Sequence, residues 1–99
     1  MISISLICWL ESWYESECNG DWEHSYGVKI GTIDNPGWSI QISLIETGLE
    51  FKAFNAVEIE RDEGNWIHCR VQDGCFEGFG GPRNLEELIK TFKEWVEKH

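Results

Sequence analysis

Asp34-Asn35-Pro36-Gly37-Trp38-Ser39-Ile40-Gln41-Ile42-Ser43-Leu44 reads as a turn followed by a strand. Asp, Asn, Pro and Gly suit tight turns, and Trp38, Ile40, Ile42 and Leu44 then alternate with Ser39, Gln41 and Ser43 at the period of a half-buried strand. Upstream, Trp22, His24, Tyr26, Val28 and Ile30 alternate with Asp21, Glu23, Ser25, Gly27 and Lys29, predicting a strand from Asp21 and a hairpin across the turn. Downstream, beyond Glu46-Thr47-Gly48, a third run from Leu49 through Phe51 and Ala53 to Val57 and Ile59 is expected to bend at Asn55. After Asp62-Glu63-Gly64-Asn65 a fourth run sets Ile67, Cys69 and Val71 against Trp66, His68, Arg70 and Gln72.

Helical spacing flanks these strands. Ile2, Leu6, Trp9, Leu10 and Trp13 share one side of a predicted N-terminal helix, with Glu11, Glu15 and Cys18 on the other. At the far end Asn84 is a good N-cap and Glu87 completes a capping-box pattern ahead of the stripe Leu85, Leu88, Ile89, Phe92, Trp95 and Val96. The expected fold is therefore α+β, in the order α-β-β-β-β-α: an antiparallel sheet of about four strands with both helices on one face. Trp9, Trp13, Trp38, Phe92 and Trp95 are expected to meet in one core. The other face then carries the polar phase, Asp21, Glu23, Lys29, Ser39, Gln41, Ser43, Glu50, Lys52, Glu58, Glu60, His68 and Arg70, with Trp66 among them.

Composition limits the function. Ninety-nine residues fit one domain, 1–99. A formal net charge of −10 repels phosphate backbones and anionic membranes, so neither a nucleic acid nor a membrane is an expected partner. The start Met1-Ile2-Ser3-Ile4-Ser5-Leu6 lacks a basic leader region, and apolar runs stay far below the ~20 residues that span a bilayer, so a soluble cytoplasmic protein is expected. In that compartment Cys8, Cys18, Cys69 and Cys75 are expected to be free thiols.

Three constellations contain residue types that could carry chemistry. Cys18 with His24, and His68-Cys69 with Cys75, lack the close ligand pairs of structural zinc sites, and alternation sends His68 and Cys69 to opposite faces, so no metal is expected. Alternation likewise separates His24 from Asp21 and Glu23, against an acid–base site. Cys75-Phe76-Glu77-Gly78-Phe79-Gly80-Gly81 resembles a glycine-rich thiol loop ahead of a helix, which would suit a small thiol enzyme of sulfurtransferase type. Against it, Glu77 sits beside the sulfur, a phosphatase-type loop would need Arg where Gly81 stands, and sulfurtransferase folds alternate β and α elements. P-loop, nucleophile-elbow and dinucleotide fingerprints are missing, so no cofactor is implied.

Acid is unevenly placed: residues 1–28 contain no Lys or Arg, and Glu58, Glu60, Asp62 and Glu63 form a second cluster. The bland reading is a solvated surface. The sharper one is docking of a basic protein through Glu11, Glu15, Asp21, Glu23, Glu58 and Glu60, with Trp66 and His68 as aromatic contacts.

The run Trp13-Tyr14-Glu15-Ser16-Glu17-Cys18-Asn19-Gly20-Asp21-Trp22-Glu23-His24-Ser25-Tyr26-Gly27-Val28, then Thr32-Ile33-Asp34-Asn35-Pro36-Gly37-Trp38, resembles the immunity protein 53 family of bacterial polymorphic toxin systems. Gly78-Phe79-Gly80-Gly81-Pro82-Arg83-Asn84-Leu85-Glu86-Glu87 with Phe92 and Trp95 resembles it too. The resemblance implies a non-catalytic protein that binds and neutralises a cognate toxin domain. Acidity suits that role if the toxin is a nuclease, whose substrate-binding surface is basic. A structural interaction module is the remaining alternative.

Overall fold

The computed structural model describes residues 5–99. Ser5 caps helix α1 (Leu6–Glu17), its Oγ accepting from Cys8 N at 3.4 Å. The expected contribution of Ile2 to this helix lies outside the described residues. Leu10 and Trp13 are buried, as the helical spacing requires.

The strand expected from Asp21 starts later. Asn19 Oδ1 accepts from the N–H groups of Asp21 and Trp22, and the Glu23 carboxylate reaches back to those of Asn19 and Gly20, all at 2.9 Å. These local bonds close one helical turn, α2 (Trp22–Ser25), and override the alternation of Trp22, His24 and Tyr26. The buried Trp22 indole donates to Ile45 O at 3.0 Å, which fixes the corner to the chain just beyond β2. Strand β1 (Val28–Ile33) then pairs antiparallel with β2 (Gly37–Ser43), Ile30 opposite Ile40, giving the expected hairpin with a shortened first strand.

The third run yields a strand only at its end, β3 (Val57–Asp62). The sheet order β1-β2-β5-β4-β3 explains why: the chain leaving β2 must pass two strand positions before it reaches β3 at the far margin. Residues 44–56 make that crossing, tied by Thr47 Oγ1 to Leu44 O at 2.7 Å and by Trp95 Nε1 to Ala53 O at 2.8 Å. Leu49 is buried and Phe54, from the opposite phase, packs on Phe76 and Trp95, whereas Phe51, expected in phase with Leu49, is 93% exposed.

Strand β4 (Asn65–Gln72) forms as expected and turns at Asp73-Gly74, both at positive φ, into β5 (Cys75–Gly80). The sheet thus has five antiparallel strands rather than about four, and the segment that resembles a glycine-rich loop in the sequence is its central strand. Glycine has two structural uses, and the one at work here is close approach. A Cβ on Gly78 would lie 2.9 Å from Ile40 Cγ2 and 3.2 Å from Leu88 Cδ2. Helix α3 (Leu85–Glu97) lies against this bare stretch, with Leu88, Ile89, Phe92 and Trp95 buried, and α1 packs beside it in the same layer. Phe92 is the aromatic centre: its ring stands 5.0 Å from Trp13, 5.0 Å from Phe76, 5.9 Å from Trp9 and 6.1 Å from Trp95. Trp9 and Trp38 are half-buried at the margins of this core.

If β5 is a packed strand, its glycines should resist substitution. Gly78→Ala should lower the unfolding free energy by about 1–3 kcal/mol, because the added methyl overpacks the contact with Ile40 and Leu88. Gly48→Ala in the crossing, where nothing lies within 4 Å of the added carbon, should stay within about 0.5 kcal/mol of wild type. Urea denaturation of the two variants checks this, and equal stability would mean that Gly78 is not pressed by α3.

Candidate functional site

The face of the sheet turned from the helices is built by the alternate positions of each strand. Register places Ser39, Phe79, His68 and Glu58 in one row across β2, β5, β4 and β3. The next row holds Gln41, Glu77 and Arg70, and on the other side Trp66 stands opposite Glu60. The Trp66 and His68 rings meet edge to face at 5.1 Å, and His68 Nε2 lies 3.5 Å from Glu60 Oε1. Arg70 Nε donates to Glu77 Oε1 at 2.7 Å, so this arginine is matched within its own row.

Two open grooves adjoin on this face and share His68. One, of about 400 Å³, is lined by Asn35, Glu60, Asp62, Glu63, Trp66 and His68. The other, of about 220 Å³, includes Glu58, His68, Arg70 and Phe79 in its walls. The first groove sets three carboxylates around the indole and imidazole of Trp66 and His68. An arginine or lysine side chain from a partner fits that chemistry, since its charge meets the carboxylates and its cation can lie over the indole.

Trp66 is held from below by a polar network. The Trp66 N–H donates to Asn84 Oδ1 at 3.3 Å, and its carbonyl accepts from Gly81 N at 3.1 Å. Asn84 Nδ2 in turn donates to Asn65 Oδ1 and Glu87 Oε1, both at 3.0 Å. Arg61 clamps the two Glu87 oxygens at 3.0 and 2.7 Å and reaches Asn65 Oδ1 at 2.9 Å. The expected capping box is thereby corrected: Asn84 and Glu87 bond each other through their side chains and join helix α3 to the β3–β4 hairpin. The Arg61 hydrogen bonds, with lesser help from Asn84, hold the Glu87 carboxyl below its ordinary range, and Glu87 raises the Arg61 guanidinium in return.

The eight residues expected to meet a partner do not share one surface. Glu58, Glu60, Trp66 and His68 line the two grooves. Glu11 and Glu15 are exposed on α1 in the helix layer, on the other side of the molecule. Asp21 and Glu23, expected on the open face, sit at the corner around α2, because that segment is not a strand. Glu23 is engaged there, and backbone N–H groups, its own foremost and then those of Asn19 and Gly20, keep its carboxyl below the usual range. Glu50 and Lys52 belong to the crossing rather than to the open face. Phe79 also faces this side: the glycines of Cys75–Gly80 suggest a loop from sequence, although Cys75, Glu77 and Phe79 alternate with Phe76, Gly78 and Gly80.

The thiols have a different setting from the one a reactive loop would give. Cys75 lies on the strand and lines a cleft of about 380 Å³ with Tyr14, His24 and Lys29. Burial first, and then Glu77, raise its thiol above the ordinary value against weaker opposition from the Ile42 backbone and Lys29. Cys69 faces the core, and burial pushes it up to about 12. Both sulfurs are therefore held in the thiol form near neutrality, where the nucleophilic species would be the thiolate.

A family model described as Immunity protein 53 matches residues 7–97 of the chain. No curated protein and no solved structure matches it. Among the described residues no helix is long and apolar enough to cross a membrane.

Because its folded carboxyl is depressed, Glu87 contributes stability above the ordinary value of 4.5 and loses it as pH falls through the folded value. Glu87→Gln should thus be less stable than wild type near neutral pH, and the gap should narrow in acid. Thermal melts of both proteins over a pH series test this. A gap that is constant with pH would show that the ionised carboxylate contributes nothing.

Proposed function

The chain belongs to the immunity protein 53 family, and we propose that it binds a cognate toxin protein through the grooved, acidic margin of its open sheet face and neutralises it by occlusion. The observation that carries the surface assignment is the groove in which Glu60, Asp62 and Glu63 stand around Trp66 and His68. The partner it fits presents basic side chains, as a nuclease does on the surface that grips its substrate's phosphates. Covering that surface with carboxylates blocks the substrate without any reaction by the inhibitor. Such binding takes place in the cytoplasm of the producing cell, and it needs no cofactor.

Charge and aromatic contact do separate work in this mechanism. A net charge of −10 speeds encounter with a basic partner, toward ~10⁸–10⁹ M⁻¹s⁻¹ at low salt against ~10⁵–10⁶ for neutral surfaces. A buried indole acts after encounter, where a central aromatic anchor is worth about 2 kcal/mol or more, mostly in slower dissociation. The raised Cys75 thiol argues against the thiol-enzyme alternative, since an occluding inhibitor needs surface fit rather than a nucleophile.

The partner for the test is a toxin domain sought in the genes neighbouring this one. Reversing Glu58 and Glu60 to Lys should cut its association rate about tenfold or more at low salt, with the difference vanishing at high salt. Reversing Glu11 and Glu15, on the helix layer, should have a small effect. Trp66→Ala should chiefly speed dissociation, and Cys75→Ser should leave protection intact. Surface plasmon resonance across a salt series, with a toxicity assay alongside, reads all four. A large loss from the Glu11 and Glu15 reversal with none from Glu58 and Glu60 would move docking to the helices, and loss of protection by a stable Cys75→Ser protein would revive catalysis.

A further inference from the structure

The two margins of the sheet are finished differently. At β3 the exposed strand carries Glu58, Glu60, Arg61 and Asp62, and its pairing with β4 breaks register between Glu60 and Asp62. Charges and a bulge are what keep an edge from pairing with another strand. β1 (Val28–Ile33) is less protected: Lys29 is its one charge, its register with β2 is continuous, and Ile30 is 41% exposed.

Register also fixes which backbone groups of β1 point away from β2, and among the described residues these have no backbone partner. Ser43 N donates to Gly27 O at 3.0 Å, so Gly27 and the residues in phase with it, Lys29 and Gly31, direct their backbone groups at β2. Val28, Ile30 and Thr32 then direct theirs outward, to the solvent side of the edge.

These outward residues are self-complementary. In an antiparallel pairing of two β1 strands about a two-fold axis at Ile30, Ile30 meets Ile30 of the second copy, Val28 meets Thr32, and Lys29 meets Gly31. Every outward N–H and C=O of the three then faces its counterpart. The Ile30 side chains cover each other on the helix side of the sheet, and each Lys29 lies across from a glycine rather than a like charge. The acid of the Glu58–Glu63 cluster sits at the opposite margin, away from this axis.

We infer that β1 is a pairing edge for a second copy of this chain, joining two five-stranded sheets into one continuous antiparallel sheet. Both β3 margins remain free in that dimer, so it presents two copies of the acidic groove, one at each end. The association is weak, because one added strand pairing is small beside standard interfaces of roughly 1,200–2,000 Å² and the two copies repel through their net charge. Salt therefore strengthens it, the reverse of its effect on binding to a basic partner.

Analytical ultracentrifugation of the full chain alone, under reducing conditions because Cys8 is exposed, tests the inference. A reversible monomer–dimer equilibrium is expected, with more dimer at higher concentration and higher salt. Ile30→Pro removes an outward donor while sparing the Lys29 and Gly31 bonds to β2, and should weaken the dimer about tenfold or more without shifting the melt greatly. If that variant does not fold, Ile30→Lys decides instead, since it keeps the backbone donor and sets like charges at the axis. A monomer at every concentration and salt, or a dimer that Ile30→Lys leaves intact, would overturn the inference. So would protection of the Val28, Ile30 and Thr32 amides from hydrogen exchange that appears only when the toxin domain is added, for then the edge receives a toxin strand.

Discussion

Helix α3 can rest on the sheet only where the central strand leaves room for it. Gly78 opposes Ile40 on one neighbouring strand and Cys69 on the other, and Leu88 fills the space that a side chain at position 78 would take. With α3 seated there, Phe92 comes onto Phe76, Trp13 of α1 comes onto Phe92, and Trp95 reaches Phe54 and the Ala53 carbonyl of the crossing. The helix layer, the crossing and the α2 corner, where Trp13 stands 6.1 Å from Trp22, thus depend on one close contact. Aromatic pairs of this edge-on kind contribute roughly 0.5–1.5 kcal/mol each beyond burial, so loosening α3 weakens several of them together.

The same helix sets the site. Its N-terminus carries Asn84 and Glu87, the buried Asn84 fixes the Trp66 backbone, and Glu87 fixes Arg61 on the reverse of β3. Among the described residues no buried side-chain nitrogen or oxygen lacks a partner, so this network is fully satisfied and holds the hairpin rather than straining it. In the proposed docking, a groove built on such a base has little ordering left to do, which favours affinity in an interface of modest size.

The sequence made some of this legible and hid the rest for identifiable reasons. The β1–β2 hairpin, β4 and α3 were readable because period two and period 3.6 run unbroken there, with Asp34-Asn35-Pro36-Gly37 marking the turn. The stretch from Asp21 misled because Asn19 and Glu23 bond the backbone locally, a choice that alternation cannot reveal. Phe51 kept the phase of a strand that the topology does not allow, because adjacency of β2 and β5 is a long-range fact. Cys75–Gly80 was ambiguous in principle, since glycines mark turns and close approaches alike. The candidate grooves were half legible: strand alternation puts Glu58, Glu60, Trp66 and His68 on the open face, where they lie, while Asp62, Glu63 and Asn35 join them only through the turns.

Acidity alone would not have located a surface, because carboxylates stand on α1, at the α2 corner and on β3 alike. What separates β3 is that its charges do two things at once. An edge strand bearing Glu58, Glu60 and Asp62 cannot accept an arbitrary strand through its backbone, because the incoming chain would have to crowd against them and follow the bulge. Those same side chains, set beside Trp66, are open to a partner that brings cations. The β3 margin is thereby closed to backbone pairing and open to side-chain recognition, whereas β1, with its single lysine, has the opposite character. In the docking proposed above, selectivity for a basic partner follows from that division, since a protein lacking the matching charges is refused at β3 by the carboxylates themselves.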